Sequence, residues 1–107
     1  MASPRVGSSV RGSASGRPIM VALDVLGRRG ALRVLWELRD ASLMFRALQA
    51  AADMNPASLK RIKELRALEI IDHSGDGYHL TQHGRSLMAA FEPLQAWAAA
   101  WARQVDL

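Results

Sequence analysis

The sequence predicts a mainly α-helical domain interrupted by one small β-hairpin, and three observations predict it. From Pro18 onward, apolar residues recur every three or four positions, the spacing of a buried helix face. Two short runs, Ile70-Ile71-Asp72-His73 and Tyr78-His79-Leu80-Thr81, flank the turn residues Ser74-Gly75-Asp76-Gly77, a strong short-range hairpin signal. Between them in the chain, the segment MNPASLKRIKELRALEII (Met54–Ile71) carries Lys60, Arg61, Lys63 and Arg66. A helix meant only to pack does not need so many cations: either they form a solvated face, or something negative lies against them.

Length and composition narrow the classes. A chain of 107 residues is one domain by size, and a hydrophobic content of 50% is enough for a core. Charges interrupt every apolar run well short of the roughly 18 residues of a membrane span, so no membrane segment is expected. With no cysteine there are no disulfides, thiolate metal sites or thiol redox chemistry. His73, His79 and His83 are scattered around the hairpin and are read as solvated polar residues rather than metal ligands; no metal or cofactor is expected. The formal charge is +4 and unevenly spread. Arg5, Arg11 and Arg17 precede the first acidic residue, Asp24, and only Glu64 opposes the cations between Lys60 and Arg66. A basic tail plus a basic helix is the electrostatic footprint of a nucleic-acid binder.

Residues 1–17 are rich in Ser, Gly and Arg, cannot bury enough surface to offset their ordering entropy, and are expected to form a disordered basic arm. They hold no apolar core of a secretory signal, so a cytoplasmic location is expected for the domain over residues 18–107. The first helix begins at Pro18, which suits a first helical position, carries Ile19, Ala22, Leu23 and Leu26 at helical spacing, and ends at Gly27. The second, RRGALRVLWELRD, has Ala31, Leu35 and Leu38 on one face with Leu32 and Trp36 beside it. Leu43-Met44 is a candidate short strand, and FRALQAAADM a third helix with Phe45, Leu48 and Ala52 inward.

Asn55 is a favoured N-cap for the fourth helix, contributing about 1 kcal/mol over alanine, and Pro56 suits the next position. At about 100° per residue, Ser58, Ile62 and Leu65 share a face with Leu59 at its edge. Pro56, Ala57, Lys60, Lys63, Glu64 and Ala67 fall opposite, and Arg61 and Arg66 flank the core stripe. After the hairpin, Leu87, Phe91, Leu94, Ala98, Trp101 and Val105 alternate spacings of four and three, the rhythm of a helix that seams against another helix. Pro93 lies inside this last helix, where a proline costs about 3 kcal/mol, and predicts a kink or restart near Glu92.

A short helix, a brief turn, a helix exposing cations and then a hairpin make a helix-turn-helix followed by a wing. With that order in place, the chain resembles the HxlR-type branch of the MarR-related winged-helix transcription regulators of prokaryotes. RPIMVALDVLGRRGALRVLWEL is similar to the family's opening, in which a proline-led helix ends in glycine and the next ends in Leu-Trp-x-Leu. MFRALQ resembles its aromatic-x-x-Leu helix, and IKELRALEII the Leu-x-Glu-Leu end of its recognition helix. YHLTQHGRSL is the closest match, resembling Tyr-x-Leu-Thr-x-x-Gly-x-x-Leu where the wing returns to the final helix. The likeness covers about residues 17 to 101. Five features depart from it. Arg17 stands where many relatives carry cysteine, Gly30 replaces a usual aromatic residue, and the recognition segment is one residue short. Leu68-Glu69 replaces a small-residue-plus-glycine ending, and the wing is a tight turn with Asp76 and no Lys or Arg.

The expectation is a sequence-specific, double-stranded-DNA-binding transcriptional regulator acting on a palindromic operator. Its recognition helix, about residues 55–68, would enter the major groove with Asn55 capping it. Ala57, Ser58 and Lys60 would lie nearest base edges, Lys60, Arg61 and Lys63 would contact bases or phosphates, and Arg46 would reach the backbone from the preceding helix. The resemblance implies a homodimer joined through the first and last helices, with Ile19, Leu23, Leu94, Trp97, Ala98 and Trp101 as the seam. That would place two recognition helices about 34 Å apart. The alternative is a winged-helix protein-interaction module that no longer binds DNA, for which the acidic, shortened wing and the Trp-rich last helix speak. No convergent catalytic set appears, so an enzyme is not expected. Met20, Trp36, Met88, Trp97 and Trp101 are candidates to line a pocket for a small hydrophobic effector between subunits, against the plainer reading of core or dimer seam.

Overall fold

A computed structural model describes residues 17–52 and 57–107 of the chain; of Ala57 and Ser58 it describes the backbone alone. The expected arm, save Arg17, and the expected Asn55-Pro56 cap lie outside the described residues. The elements are α1 (Pro18–Leu26), α2 (Ala31–Glu37), α3 (Phe45–Ala51), α4 (Ala57–Ala67), β1 (Ile71–Ser74), β2 (Gly77–Leu80) and α5 (Gln82–Gln104). This is the mainly helical winged-helix order expected from the sequence.

The core gathers one or two side chains from each of the first six elements, and Leu87 and Met88 of α5 pack partly buried against it. Val25 of α1, Val34 and Leu35 of α2, Leu48 of α3, Ile62 and Leu65 of α4, Ile71 of β1 and Leu80 of β2 form one buried cluster. In α2 the expected face of Ala31, Leu35 and Leu38 is buried, Val34 joins it, and Leu32 and Trp36 stay exposed. The helix is shorter than its sequence pattern because Gly30, at φ 87°, forms the N-cap and Leu38 leaves helical geometry at the other end. In α1, Val21 and Val25 face the core, whereas Ile19 and Leu23, one residue pair round the helix, face solvent. That helix therefore has two apolar sides.

The hairpin pairs β1 with β2 antiparallel, Ile71 opposite Leu80 and Ser74 opposite Gly77. The expected strand at Leu43-Met44 is reduced to a single bridge: Leu43 N–H donates to the Tyr78 carbonyl at 2.9 Å and Tyr78 N–H donates back at 2.7 Å. Gly77 makes this third edge feasible. Its φ is 106°, and a Cβ there would drive into the Leu43 carbonyl.

Thr81 ends the wing and starts α5. Its hydroxyl oxygen accepts the Gly84 N–H at 3.1 Å, and its O–H lies within reach of the Glu69 and Ile70 carbonyls, at 2.6 and 3.0 Å. One side chain thus caps a helix and ties the end of α4 to it. Gly84 is buried where a Cβ would collide with the Ile70 carbonyl. These contacts give the Thr-x-x-Gly pattern a physical cause. The expected restart at Pro93 does not occur, and α5 runs through it as one helix of 23 residues. Pro93 and Ala89 are both exposed, so the carbonyl freed by the missing N–H is open to water.

The end of α4 is held by Ile70 N–H donating to the Leu65 carbonyl and Glu69 N–H to the Arg66 carbonyl, the paired bonds of a Schellman-type C-cap. Glu69 adopts φ 61° to make that turn. A left-handed residue costs about 1–2 kcal/mol unless it is glycine, and glycine's greater unfolded-state entropy returns about half of the gain. Glu69→Gly should therefore raise stability by about 0.5–1 kcal/mol in urea unfolding, with an unchanged m-value.

Candidate nucleic-acid interface

The cations of α4 divide into two kinds. Lys60 and Lys63 are exposed and have no ion-pair or hydrogen-bond partner among the described residues. Arg66 is also exposed, but its Nε lies 3.4 Å from Asp72 of β1. Arg61 differs from all three: it is 8% exposed and turned into the protein. The expectation that Arg61 meets DNA is therefore corrected, as is the placing of Glu64 on the open side, because Glu64 is 6% exposed. On α3, Arg46 is exposed and unpaired among the described residues, as an outward-reaching cation requires. Asn55 lies outside those residues, and Ala57 and Ser58 stand on the first turn of α4.

Arg61 and Glu64 are buried because they belong to a neutral cluster of four charges. Arg61 Nη2 donates to Glu64 Oε1 at 3.1 Å. The other carboxylate oxygen, Oε2, accepts Arg28 Nη1 at 2.9 Å, while Arg28 Nη2 donates to Asp24 at 2.9 Å. Arg28 lies in the turn between α1 and α2, and the stem of Arg61 packs against Gly30 of that turn. Burial by itself would depress the Arg28 guanidinium, but its hydrogen bonds and attraction to Glu64 and Asp24 outweigh that and raise its pKa above the ordinary arginine value. Arg61 Nε is buried with no partner among the described residues.

The same turn holds a cation that sequence reasoning missed. Arg29 is exposed and unpaired among the described residues, beside the paired Arg28. The signal was available: Asp24 and Arg28 are four apart and form a helical ion pair, which leaves Arg29 as the free member of the doublet.

The wing offers no cation. From Ala67 to Gly84 there is neither Lys nor Arg, and Asp72 and Asp76 are exposed. The His73 N–H, with Arg66 nearby, holds the Asp72 carboxyl below its usual range. The His73 and Tyr78 rings meet edge to face at 4.7 Å and stiffen the strand pair.

Away from α4 lie two apolar stripes. On α1, Ile19 and Leu23 are more than half exposed. On α5, Leu94, Trp97, Trp101 and Val105 are 45–59% exposed, Ala98 is half-buried among them, and the Trp97 and Trp101 rings stack with centroids 5.6 Å apart. Of the residues expected to line an effector pocket, Trp36 and Met88 border an open cleft of about 350 Å³ between α2 and α5, whereas Trp97 and Trp101 lie outside it.

The model of the HxlR-like helix-turn-helix family matches residues 25–106. The chain belongs to this family. An HTH-type transcriptional regulator of Methanocaldococcus jannaschii, itself uncharacterised, is 26% identical over 83 residues, 72% of this chain and 78% of that protein. The crystal structure of quinone-bound YodB from B. subtilis superposes with a TM-score of 0.70 at 30% identity, over 77% of this chain and 96% of that one. This HxlR-like protein is accordingly a DNA-binding transcription regulator, with α3 and α4 as its helix-turn-helix and β1–β2 as its wing.

The division of the cations can be checked by stability alone. Arg61→Met leaves the cluster with an uncompensated buried carboxylate and should lower unfolding free energy by about 3 kcal/mol. Lys60→Ala and Lys63→Ala should each stay within about 0.5 kcal/mol of the parent, as exposed substitutions do.

Proposed function

We propose that the protein acts as a homodimer, with α4 of each protomer in the major groove of a palindromic operator. The observation that carries this reading is the open side of α4, where Lys60 and Lys63 stand exposed and, among the described residues, unpaired on the second helix of a helix-turn-helix. Ala57 and Ser58 are small residues on the first turn of that helix, which favours close approach to base edges with Asn55 before them. Lys60 and Lys63 supply phosphate or base contacts, Arg46 reaches the backbone from α3, and Arg29 adds a contact from the α1–α2 turn. The acidic wing supplies no phosphate contact. If Lys60 and Lys63 each touch one phosphate, Lys60→Ala and Lys63→Ala each lower the slope of log affinity against log salt by about one per protomer. Fluorescence anisotropy on the duplex that the protein selects from a random pool measures it, and unchanged slopes in both variants would remove α4 from the groove.

The dimer reading is supported by the exposed stripes Ile19–Leu23 and Leu94–Trp97–Trp101, which are large for a surface left in water. Leu94→Glu with Trp101→Glu should shift the light-scattering mass from twice the chain mass to one, with helicity retained. A parent that is already monomeric would favour the adaptor reading, in which these tryptophans hold another protein.

A small hydrophobic effector is the further part of this proposal. YodB was solved with a quinone, and here Trp36, Leu80 and Met88 supply the apolar part of one cleft whose rim carries Arg39, Asp40, Arg85 and Glu92. Without cysteine, such a molecule cannot be held through a thiol adduct. The site of action is the cytoplasm, on chromosomal DNA; no described helix is long and apolar enough to cross a membrane.

A further inference from the structure

α1 and α4 do different jobs in the proposed function, one facing the partner protomer and the other facing DNA. Each packs on α2, and a polar bridge also ties them to one another. The Arg28 guanidinium uses one arm on Asp24, in the last turn of α1, and the other on Glu64, in the middle of α4. Asp24 sits one residue from Leu23 on the exposed apolar side, and Glu64 one residue from Lys63 on the open side. All three charged side chains are at most 14% exposed. Arg61 takes the remaining oxygen of Glu64, so the carboxylate is fixed from two directions.

We infer that Arg28 is a positioning residue that fixes the angle of the recognition helix relative to the dimerisation helix, and so sets the separation of the two recognition helices in the dimer. This rests on the homodimer reading above. The physical ground is directionality. An apolar contact tolerates sliding, whereas a planar guanidinium that gives one arm to each of two carboxylates at 2.9 Å resists translation and rotation of one helix against the other. Buried ion pairs of this kind are weak sources of stability because desolvation offsets their attraction, so geometry is what such a cluster best supplies. The cluster is also balanced, two guanidiniums against two carboxylates, and adds nothing to the field that attracts DNA. Its loss should alter spacing and leave the electrostatic part of binding alone.

The test uses the full chain, whose lack of cysteine lets one introduced thiol carry one spin label. Ala67→Cys places that label on the exposed end of α4, and pulsed dipolar spectroscopy then reads the distance between the two copies of α4 in the dimer. The informative change is Asp24→Asn with Arg28→Met, which removes one cation and one anion and leaves the Arg61–Glu64 pair neutral. Arg28→Lys, which keeps the charge but replaces the planar fork with a rotatable point charge, is the second variant should the double change fail to fold by circular dichroism. The expected result is a distance distribution at least twice as broad as the parent's, at unchanged dimer mass. On duplexes whose half-sites are moved one base pair closer or further apart, the parent's preference should shrink at least threefold, with its salt slope unchanged. An unaltered distribution and unaltered spacing preference in a folded variant overturns the inference. A labelled parent that gives no intermolecular distance defeats the dimer reading instead. In that event, labels at Leu23 and Ala67 of one chain make the same comparison within the monomer, where equal widths in parent and variant again overturn the role of Arg28.

Discussion

The seating of α4 on α2 is the constraint on which the rest of the molecule depends. Ile62 and Leu65 are 1% and 0% exposed and share a buried cluster with Val34 and Leu35 of α2. Burying each such side chain contributes about 1.5–3 kcal/mol. Two neighbours on one helix edge therefore fix which side of α4 is inward, and everything polar on the helix must arrange itself around that choice. Lys60 falls almost opposite the edge and is left in water. Arg61 and Glu64 fall on the flank covered by the α1–α2 turn, and Lys63 on the flank that no described element covers. The face proposed to meet DNA is thus a remainder, defined by what the core takes first.

The same logic explains what could be read in advance. Elements were legible where a local chemical rule acts: Pro18 at a helix start, Ser74–Gly77 as a tight reversal, and Thr81 with Gly84 as a cap whose close approach excludes a side chain. Glu69 shows a rule broken and still obeyed, since the chain takes the left-handed turn that its relatives' glycine would suit, at some strain. Arg61 and Glu64 were misplaced for a reason that one helix alone cannot reveal. On a wheel of about 100° per residue, Glu64 and Lys63 stand at equal angles, about 130°, on either side of the Ile62–Leu65 edge. Only the fold decides which flank is covered, through a contact between Arg28 and Glu64 that spans 36 residues of sequence. At Pro93 the expected restart is absent because α5 continues through the proline as one helix, with both Ala89 and Pro93 exposed.

Pairing also changes how the positive charge should be counted. The chain's formal charge of +4 and the four cations between residues 60 and 66 suggest a strongly electrostatic binder. In the folded domain, however, Arg28 and Arg61 are neutralised by Asp24 and Glu64 inside the protein, and Arg66 is shared with Asp72. The Arg66 pair is half-exposed and weak, as surface ion pairs are, and leaves that cation partly available. Among the described residues, those left unpaired are Arg46, Lys60 and Lys63 on the helix-turn-helix and Arg29 in the α1–α2 turn. A counterion-release account built on these few groups gives a shallower salt dependence than the raw composition implies.

The acidic wing sharpens that point. Asp72 and Asp76 project from a hairpin with no Lys or Arg of its own, and a backbone N–H together with Arg66 lowers the pKa of Asp72 further. A carboxylate held near phosphate raises the free energy of any pose that presses the wing to the backbone. Such repulsion discriminates between poses, because it leaves the pose led by α4 unaffected and penalises those led by the hairpin. In the proposed complex, with the wing withdrawn from affinity, the burden of recognition falls on α4, and its angle becomes the quantity that the rest of the domain must hold. The side chains that hold it are the buried pair Ile62 and Leu65 on one flank and the bridged carboxylate of Glu64 on the other.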